Sequence, residues 1–135
     1  MTEDDISVVQ KLAVELGYPD SVEAYLGRFR VIKDLPSHRL LVLENEGIQG
    51  WIHLERSFPF ISSGRIIINA MVVTEKSRGL GFGKALLEAA KTWAKDSSVG
   101  TIYLSSNINR DKTHAFYLKN GFTKTKTSHF FELKI

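Results

Sequence analysis

The most constraining stretch of this sequence is a strand that runs straight into three glycines. Arg65 to Thr74 is nearly all apolar, which is the composition of a central strand covered on both faces. It is followed by Arg78-Gly79-Leu80-Gly81-Phe82-Gly83-Lys84, and then by a helix to about Asp96 whose apolar stripe is Phe82, Leu86, Ala90 and Trp93. Three glycines within five residues let backbone N–H groups converge and let a ligand approach closely. The helix start adds unpaired N–H donors and a partial positive charge. With the formal charges of Arg78 and Lys84, the segment reads as a pyrophosphate cradle.

Two commoner phosphate motifs do not fit. A P-loop needs Gly where Arg78 stands and Ser or Thr where Ala85 stands. A G-x-G-x-x-G fingerprint started at Gly79 meets Lys84 at its third glycine, and started at Gly81 it meets Leu86.

The other elements follow from periodicity. Glu3 to Leu16 reads as an amphipathic helix ended by Gly17. Asp20 or Ser21 caps a second helix, with Val22, Tyr25, Leu26 and Phe29 on one face. Arg39 to Leu43 and Ile48 to Leu54 read as strands about the turn Glu44–Gly47. Beyond the long helix, Thr101 to Ser105 is a strand, Asp111 to Asn120 a helix, and Gly121 its C′ residue. Phe122 to Ile135 reads as one or two strands, with the lysines of Thr123-Lys124-Thr125-Lys126-Thr127 on one face as edge protection. The path from Thr74 through the long helix to Thr101 has the form of a parallel crossover. The expected fold is α+β: one domain over 1–135, with a mixed sheet of about six strands and four helices.

Composition removes several function classes. At 135 residues the chain should bury about two thirds of its unfolded surface. Without cysteine, it has no disulfide, thiolate metal site or cysteine nucleophile. The four histidines lack metal-ligand spacing, so no metal is expected. A net charge of +3 from scattered Lys and Arg suits an anionic small ligand better than nucleic acid. No apolar run reaches membrane-span length, and the acidic start Met1-Thr2-Glu3-Asp4-Asp5 is unlike a secretory signal, so a cytoplasmic protein with no membrane partner is expected.

Arg78-x-x-Gly81-x-Gly83, with Met71-x-Val73 before it, resembles the R/Q-x-x-G-x-G/A signature of the GCN5-related N-acetyltransferases, the GNAT superfamily. A second signature follows in order: Ser105-Ser106-Asn107, Arg110, and His114-x-Phe116-Tyr117-x-x-x-Gly121-Phe122. The resemblance spans nearly the whole chain and is strongest to small bacterial members labelled aminoglycoside-6′-acetyltransferase-like. One departure is that the family's strand before the first helix is missing or vestigial here. That leaves a sheet edge for a partner subunit to cover, and a homodimer is an expectation.

The resemblance implies acetyl-CoA as acyl donor, held where two parallel strands splay apart. The pyrophosphate would lie on the amides of Gly79, Leu80, Gly81, Phe82, Gly83 and Lys84, with Arg78 at the rim. The pantetheine would pair with backbone groups of Met71 and Val73. An N–H near Val72 or Val73 would serve as oxyanion donor. Asn107 and Arg110 would touch the pantetheine or adenosine phosphates, and Tyr117 would protonate the departing thiolate. A turn-forming role for Asn107, a solvated role for Arg110 and a packed core role for Tyr117 are the plain alternatives. Many relatives carry an acidic residue on the central strand where this chain has Asn69, which can position an amine or water but cannot take a proton. His53 and Glu55, on one side of the neighbouring strand by period-two alternation, are the candidates for base. The expected activity is transfer of an acetyl group to a primary amine of a small molecule or peptide, by direct attack in a ternary complex. The alternative is an acyl-CoA binding or sensing module with little catalysis, supported by the absent carboxylate at Asn69.

Overall fold

The computed structural model describes residues 1–135 and divides into two compact units, Met1–Ser105 and Ser106–Ile135. The first unit opens with helices. A single 3₁₀ turn (Glu3–Asp5) leads into α1 (Ile6–Glu15), and α2 spans Val22–Ile32. Ser21 caps α2 by accepting from the Ala24 N–H through its side chain at 3.1 Å, one of the two caps expected. Then come β1 (His38–Glu44), β2 (Ile48–Ser57) and β3 (Arg65–Val73), a 3₁₀ turn (Glu75–Ser77), α3 (Phe82–Asp96) and β4 (Ile102–Tyr103). No strand precedes α1. The ammonium of Met1 instead donates to the carbonyl of Leu40 on β1 at 3.4 Å.

The sheet runs in the order β1-β2-β3-β4, antiparallel through β3 and parallel between β3 and β4. Its two faces can be told apart by side-chain parity. Trp51 of β2 and Val72 of β3 pack with Val9, Leu12 and Ala13, so odd positions of β2 face α1. Gly50 and Val73 face the other way, against Leu86 of α3. There α3 buries Leu86, Leu87, Ala90, Trp93 and Ala94, whereas Phe82, expected in the stripe, is only half-buried because it opens the helix. The long helix therefore covers one face and α1 the other, and β3 lies between two neighbours as its composition implied.

In the second unit, α4 (Asp111–Lys119) ends at Gly121, which has φ +92°. The expected strands over Phe122–Ile135 are absent: these residues join no ladder, and the sheet has four strands rather than about six. Alternation is present in that segment, but a strand needs a partner edge and none is paired with it here. No helix is long and apolar enough to cross a membrane.

Gly50 sits where β2 lies tightly against β3 and α3. A Cβ there would lie 2.7 Å from the Val72 carbonyl oxygen and 3.3 Å from Leu86 Cδ1. Gly50→Ala should therefore destabilise the fold by about 1–3 kcal/mol, the usual cost of forcing atoms into a packed core. Urea denaturation would check this; a change below about 0.5 kcal/mol would contradict the tight packing assigned to this crossing.

Candidate active site

Two features of β3 build the site. The first is a bulge. His53 pairs with Ala70 and Leu54 with Ile68, leaving Asn69 without an opposite residue. The second is a parting of strands. β4 pairs with β3 only at Ile66↔Ile102 and Ile67↔Tyr103, although β3 continues to Val73. The Thr74 N–H donates to Gln49 O on the β2 side at 2.9 Å, so by two-residue alternation Val72 also faces β2. Met71 and Val73 then present their backbone groups to the opposite side, where the ladder with β4 has ended. Of the two oxyanion donors expected, Val73 has the open side; Val72 is turned to β2 and its side chain is buried.

At the end of β3 the glycine turn takes the shape its sequence demands. Gly79 and Gly81 both have φ +83°, and a Cβ on either would meet nothing within 4 Å. Glycine is needed there for its left-handed backbone, not for lack of room. The first helical bond of α3 runs from the Ala85 N–H to Gly81 O, and no side chain caps the helix, so the N–H groups of Phe82, Gly83 and Lys84 precede the ladder. Arg78, Gly79 and Leu80 are exposed beside them, as is Lys84. Free donors, open space and cationic side chains fit a diphosphate. The turn is pinned from behind: Ser77, buried, donates its hydroxyl to Gln49 Oε1 at 2.7 Å, and Gln49 Nε2 donates to Asn45 O at 3.0 Å. Sequence reading missed this polar latch, because Gln49 looks like an ordinary solvent-facing strand residue.

The bulge turns Asn69 toward Glu55. Asn69 Nδ2 donates to Glu55 Oε2 at 2.9 Å. A carboxylate of β2 thus lies beside Asn69 of β3. On the same face His53 is partly buried, and its Nε2 lies 3.0 Å from Nδ1 of His38, with the rings stacked 5.2 Å apart. One imidazole must donate and the other accept, so the contact requires at least one neutral ring. Burial first, then His38, pulls the His53 pKa below its ordinary 6.5, against an opposing effect of Glu55. His38 was not anticipated as a site residue. It begins β1 opposite Glu55, a register that an isolated sequence does not reveal. A cleft of about 210 Å³ borders it, walled by Phe29, Ile32, Lys33 and Leu40. No group of three His, Asp or Glu side chains is arranged to hold a metal ion.

Asn107, Arg110 and Tyr117 belong to the second unit, whose own contacts define their surroundings. Asn107 Oδ1 accepts from the Asn109 N–H at 2.9 Å, the turn role weighed for it. Arg110 is exposed and precedes the first residue of α4. Tyr117 is half-buried and edge-on to Phe116 and Phe122, at 5.4 and 5.3 Å between ring centroids.

The site is thus an anion-binding turn at a helix start, reached along a bulged strand that parts from its parallel neighbour. The model of the Acetyltransferase (GNAT) family matches residues 7–122, and the chain belongs to that family. It is 31% identical over 118 residues to the uncharacterized N-acetyltransferase YhdJ of Bacillus subtilis, covering 86% of this chain and 80% of that protein. It is 32% identical over 131 residues to the aminoalkylphosphonate N-acetyltransferase of Salmonella typhimurium, covering 96% and 83%. The fold matches that of AAC(6')-Iy, solved in complex with the bisubstrate analogue CoA-S-monomethyl-acetylneamine, with a TM-score of 0.85 over 100% of this chain and 95% of that one. At 17% identity that likeness is one of fold.

The lowered pKa of His53 carries a consequence for stability. The unfolded chain binds this proton more readily than the folded one. The contribution of His53 is therefore intact above its unfolded pKa and is lost as pH falls through its folded value. Unfolding free energy should decline on acidification below about pH 6.5. His53→Gln should flatten that decline, as read by urea titrations at several pH values. An imidazole resonance of His53 titrating above 6.5 would contradict the burial effect.

Proposed function

We propose that the chain is an acetyl-CoA-dependent N-acetyltransferase whose residues 1–135 work as one catalytic domain in the cytoplasm, on a primary amine of a small molecule or peptide. The observation that carries this reading is the backbone of β3: it offers Met71 and Val73 to an extended ligand and leads directly to the glycine turn. From Asn69 to Thr74 is roughly 16 Å of strand, comparable to an extended pantetheine chain.

In this reading the amides of Gly79 to Lys84 hold the pyrophosphate, with Arg78 at its rim and Asn107 and Arg110 on the remaining donor groups. Acetyl-CoA supplies an activated acetyl group as a thioester. A backbone N–H on the open side of β3 faces the thioester carbonyl and steadies negative charge on its oxygen as the amine attacks. His53, neutral near pH 7 because its pKa is depressed, takes the amine proton directly or through a water. Asn69, held by Glu55, orients the amine. Tyr117 donates its hydroxyl proton to the departing thiolate. All steps occur in one ternary complex, which brings amine and thioester together without a covalent enzyme intermediate. The carboxylate beside Asn69 weakens the case for a sensing module that lacks a base. The names of the relatives make aminoalkylphosphonates and aminoglycosides the first acceptors to try.

Release of CoA thiol from acetyl-CoA across such an amine panel tests this. Turnover with at least one amine is expected. Tyr117→Phe should lower kcat by about 10²-fold or more, within the usual range for losing a general acid, with KM for acetyl-CoA changed less than about threefold. Tight acetyl-CoA binding with no turnover on any amine would favour the sensing module. Unchanged kcat in Tyr117→Phe would remove the tyrosine from the chemistry.

A further inference from the structure

Helix α1 covers only one end of its face of the sheet. At that end Trp51 and Val72 are buried with Val9, Leu12 and Ala13. At the other end, nearer the loop that joins β2 to β3, Ile67 is half-buried and Asn69 and Tyr103 are exposed. The opposite face is closed at the same level, where Leu54, Ile66 and Ile68 are buried. Odd positions of β2 face α1, so Glu55 and Ser57 share the open floor with their partners Ile67 and Arg65. Tyr103 of β4 joins them as the partner of Ile67 on its other side.

Arg65 is a cation on this floor with nothing to neutralise it. It makes no salt bridge, and its Nε is buried without a hydrogen-bond partner. Glu55 is its diagonal neighbour across β2 and β3, within reach of a long side chain. The two do not pair. Glu55 accepts from Asn69 at 2.9 Å, and the Arg65 guanidinium lies over the ring of Tyr103, 4.7 Å from its centroid. The loop from Ser57 to Gly64 carries no charge that could serve instead. A guanidinium stacked on an aromatic ring keeps its N–H fork in one plane, ready to grip a carboxylate or phosphonate with two bonds.

The register fixes the spacing of the two charges. Tyr103 and Glu55 both lie opposite Ile67, so Arg65 is drawn to the β4 flank at the level where Glu55 stands on the β2 flank. Two strand spacings put those flanks about 10 Å apart. Contacts of about 3 Å at each end leave about 4 Å between an ammonium at Glu55 and an acid at Arg65, the span of a chain of two or three carbons. We propose that Arg65, held on Tyr103, recognises an acidic group of the acceptor, so that the acceptor is a short amine carrying a carboxylate or phosphonate. Its nitrogen lies at Glu55, Asn69 and His53. This inference rests on the acyl-transfer reading and adds to it the charge and length of the acceptor. A polycationic acceptor meets the same guanidinium as a like charge.

The test compares amines of similar length: β-alanine and aminoethylphosphonate as acids, n-propylamine as the neutral case and diaminopropane as the dication. With the wild-type chain, kcat/KM for at least one acid should exceed that for propylamine by about 30-fold or more, the usual worth of charge-assisted hydrogen bonds. Diaminopropane should be the poorest. Arg65→Gln should raise KM for the acids by about 30-fold or more, with kcat, propylamine turnover and KM for acetyl-CoA changed less than about threefold. Arg65→Lys, which keeps the charge and loses the fork, should fall between. Lys95→Gln removes an equal charge from the exposed end of α3 and should leave the ranking as it is. If Arg65→Gln does not fold, Arg65→Lys and the wild-type ranking decide.

Calorimetry with the two acids, with and without CoA, separates this subsite from the reaction. Acids that bind the wild-type chain and not Arg65→Gln, with no acetyl transfer to any amine, would keep Arg65 as the anion site and remove the acyl-transfer reading. Propylamine or diaminopropane used as well as the acids would overturn the proposal. So would an unchanged KM for the acids in folded Arg65→Gln, or no binding of either acid to the wild-type chain.

Discussion

The structure depends on strand β3 being paired on both sides at one end and on one side at the other. Its first residues pair with β2 on one side and β4 on the other, while α3 packs on the sheet through its own buried face. Past Ile67 the ladder with β4 stops, and at Asn69 a bulge shifts the parity of the strand. Without the bulge, Met71 and Val73 would direct their backbone groups at β2 and their side chains at the other face. One extra residue therefore decides both which backbone groups of β3 face the parted edge and which polar side chain meets Glu55.

The same strand joins the two poles of the site. At its end, left-handed glycines and the uncapped start of α3 create positive potential from backbone dipoles, independent of any titrating group. At its middle, Asn69, Glu55, His53 and His38 form a polar patch on the face covered by α1. Burial keeps His53 short of its proton there, whereas the cradle stays exposed and cationic. In the proposed function the first arrangement serves proton acceptance and the second serves anion binding, so chemistry and anchoring are separated along one strand.

What the sequence made legible follows from the range over which each signal acts. The glycine turn, the stripe of α3 and the central place of β3 are local patterns, and all three were readable. So was the shared face of His53 and Glu55, because alternation within one strand is local. The His38–His53 contact and the Gln49–Ser77 latch depend on register between strands, which no local pattern fixes. The segment Phe122–Ile135 is the instructive case. Its alternation predicted strands, but residues 122–135 join no ladder, because alternation within a segment does not supply a partner strand. The family signature carried Asn107, Arg110 and Tyr117 onto the second unit, where their own contacts are a turn, solvent and two aromatic rings.

Calorimetric titration with acetyl-CoA, compared with adenosine diphosphate, tests the central claim most directly. The account predicts micromolar or tighter binding of acetyl-CoA and weaker binding of the nucleotide, because the strand contacts of Met71 and Val73 add to those of the cradle. Replacing Gly81 by valine, which resists φ +83°, should weaken both ligands together. Equal affinity for the two ligands would mean that the parted edge of β3 contributes nothing. No binding by folded protein would reduce the glycine turn to a turn.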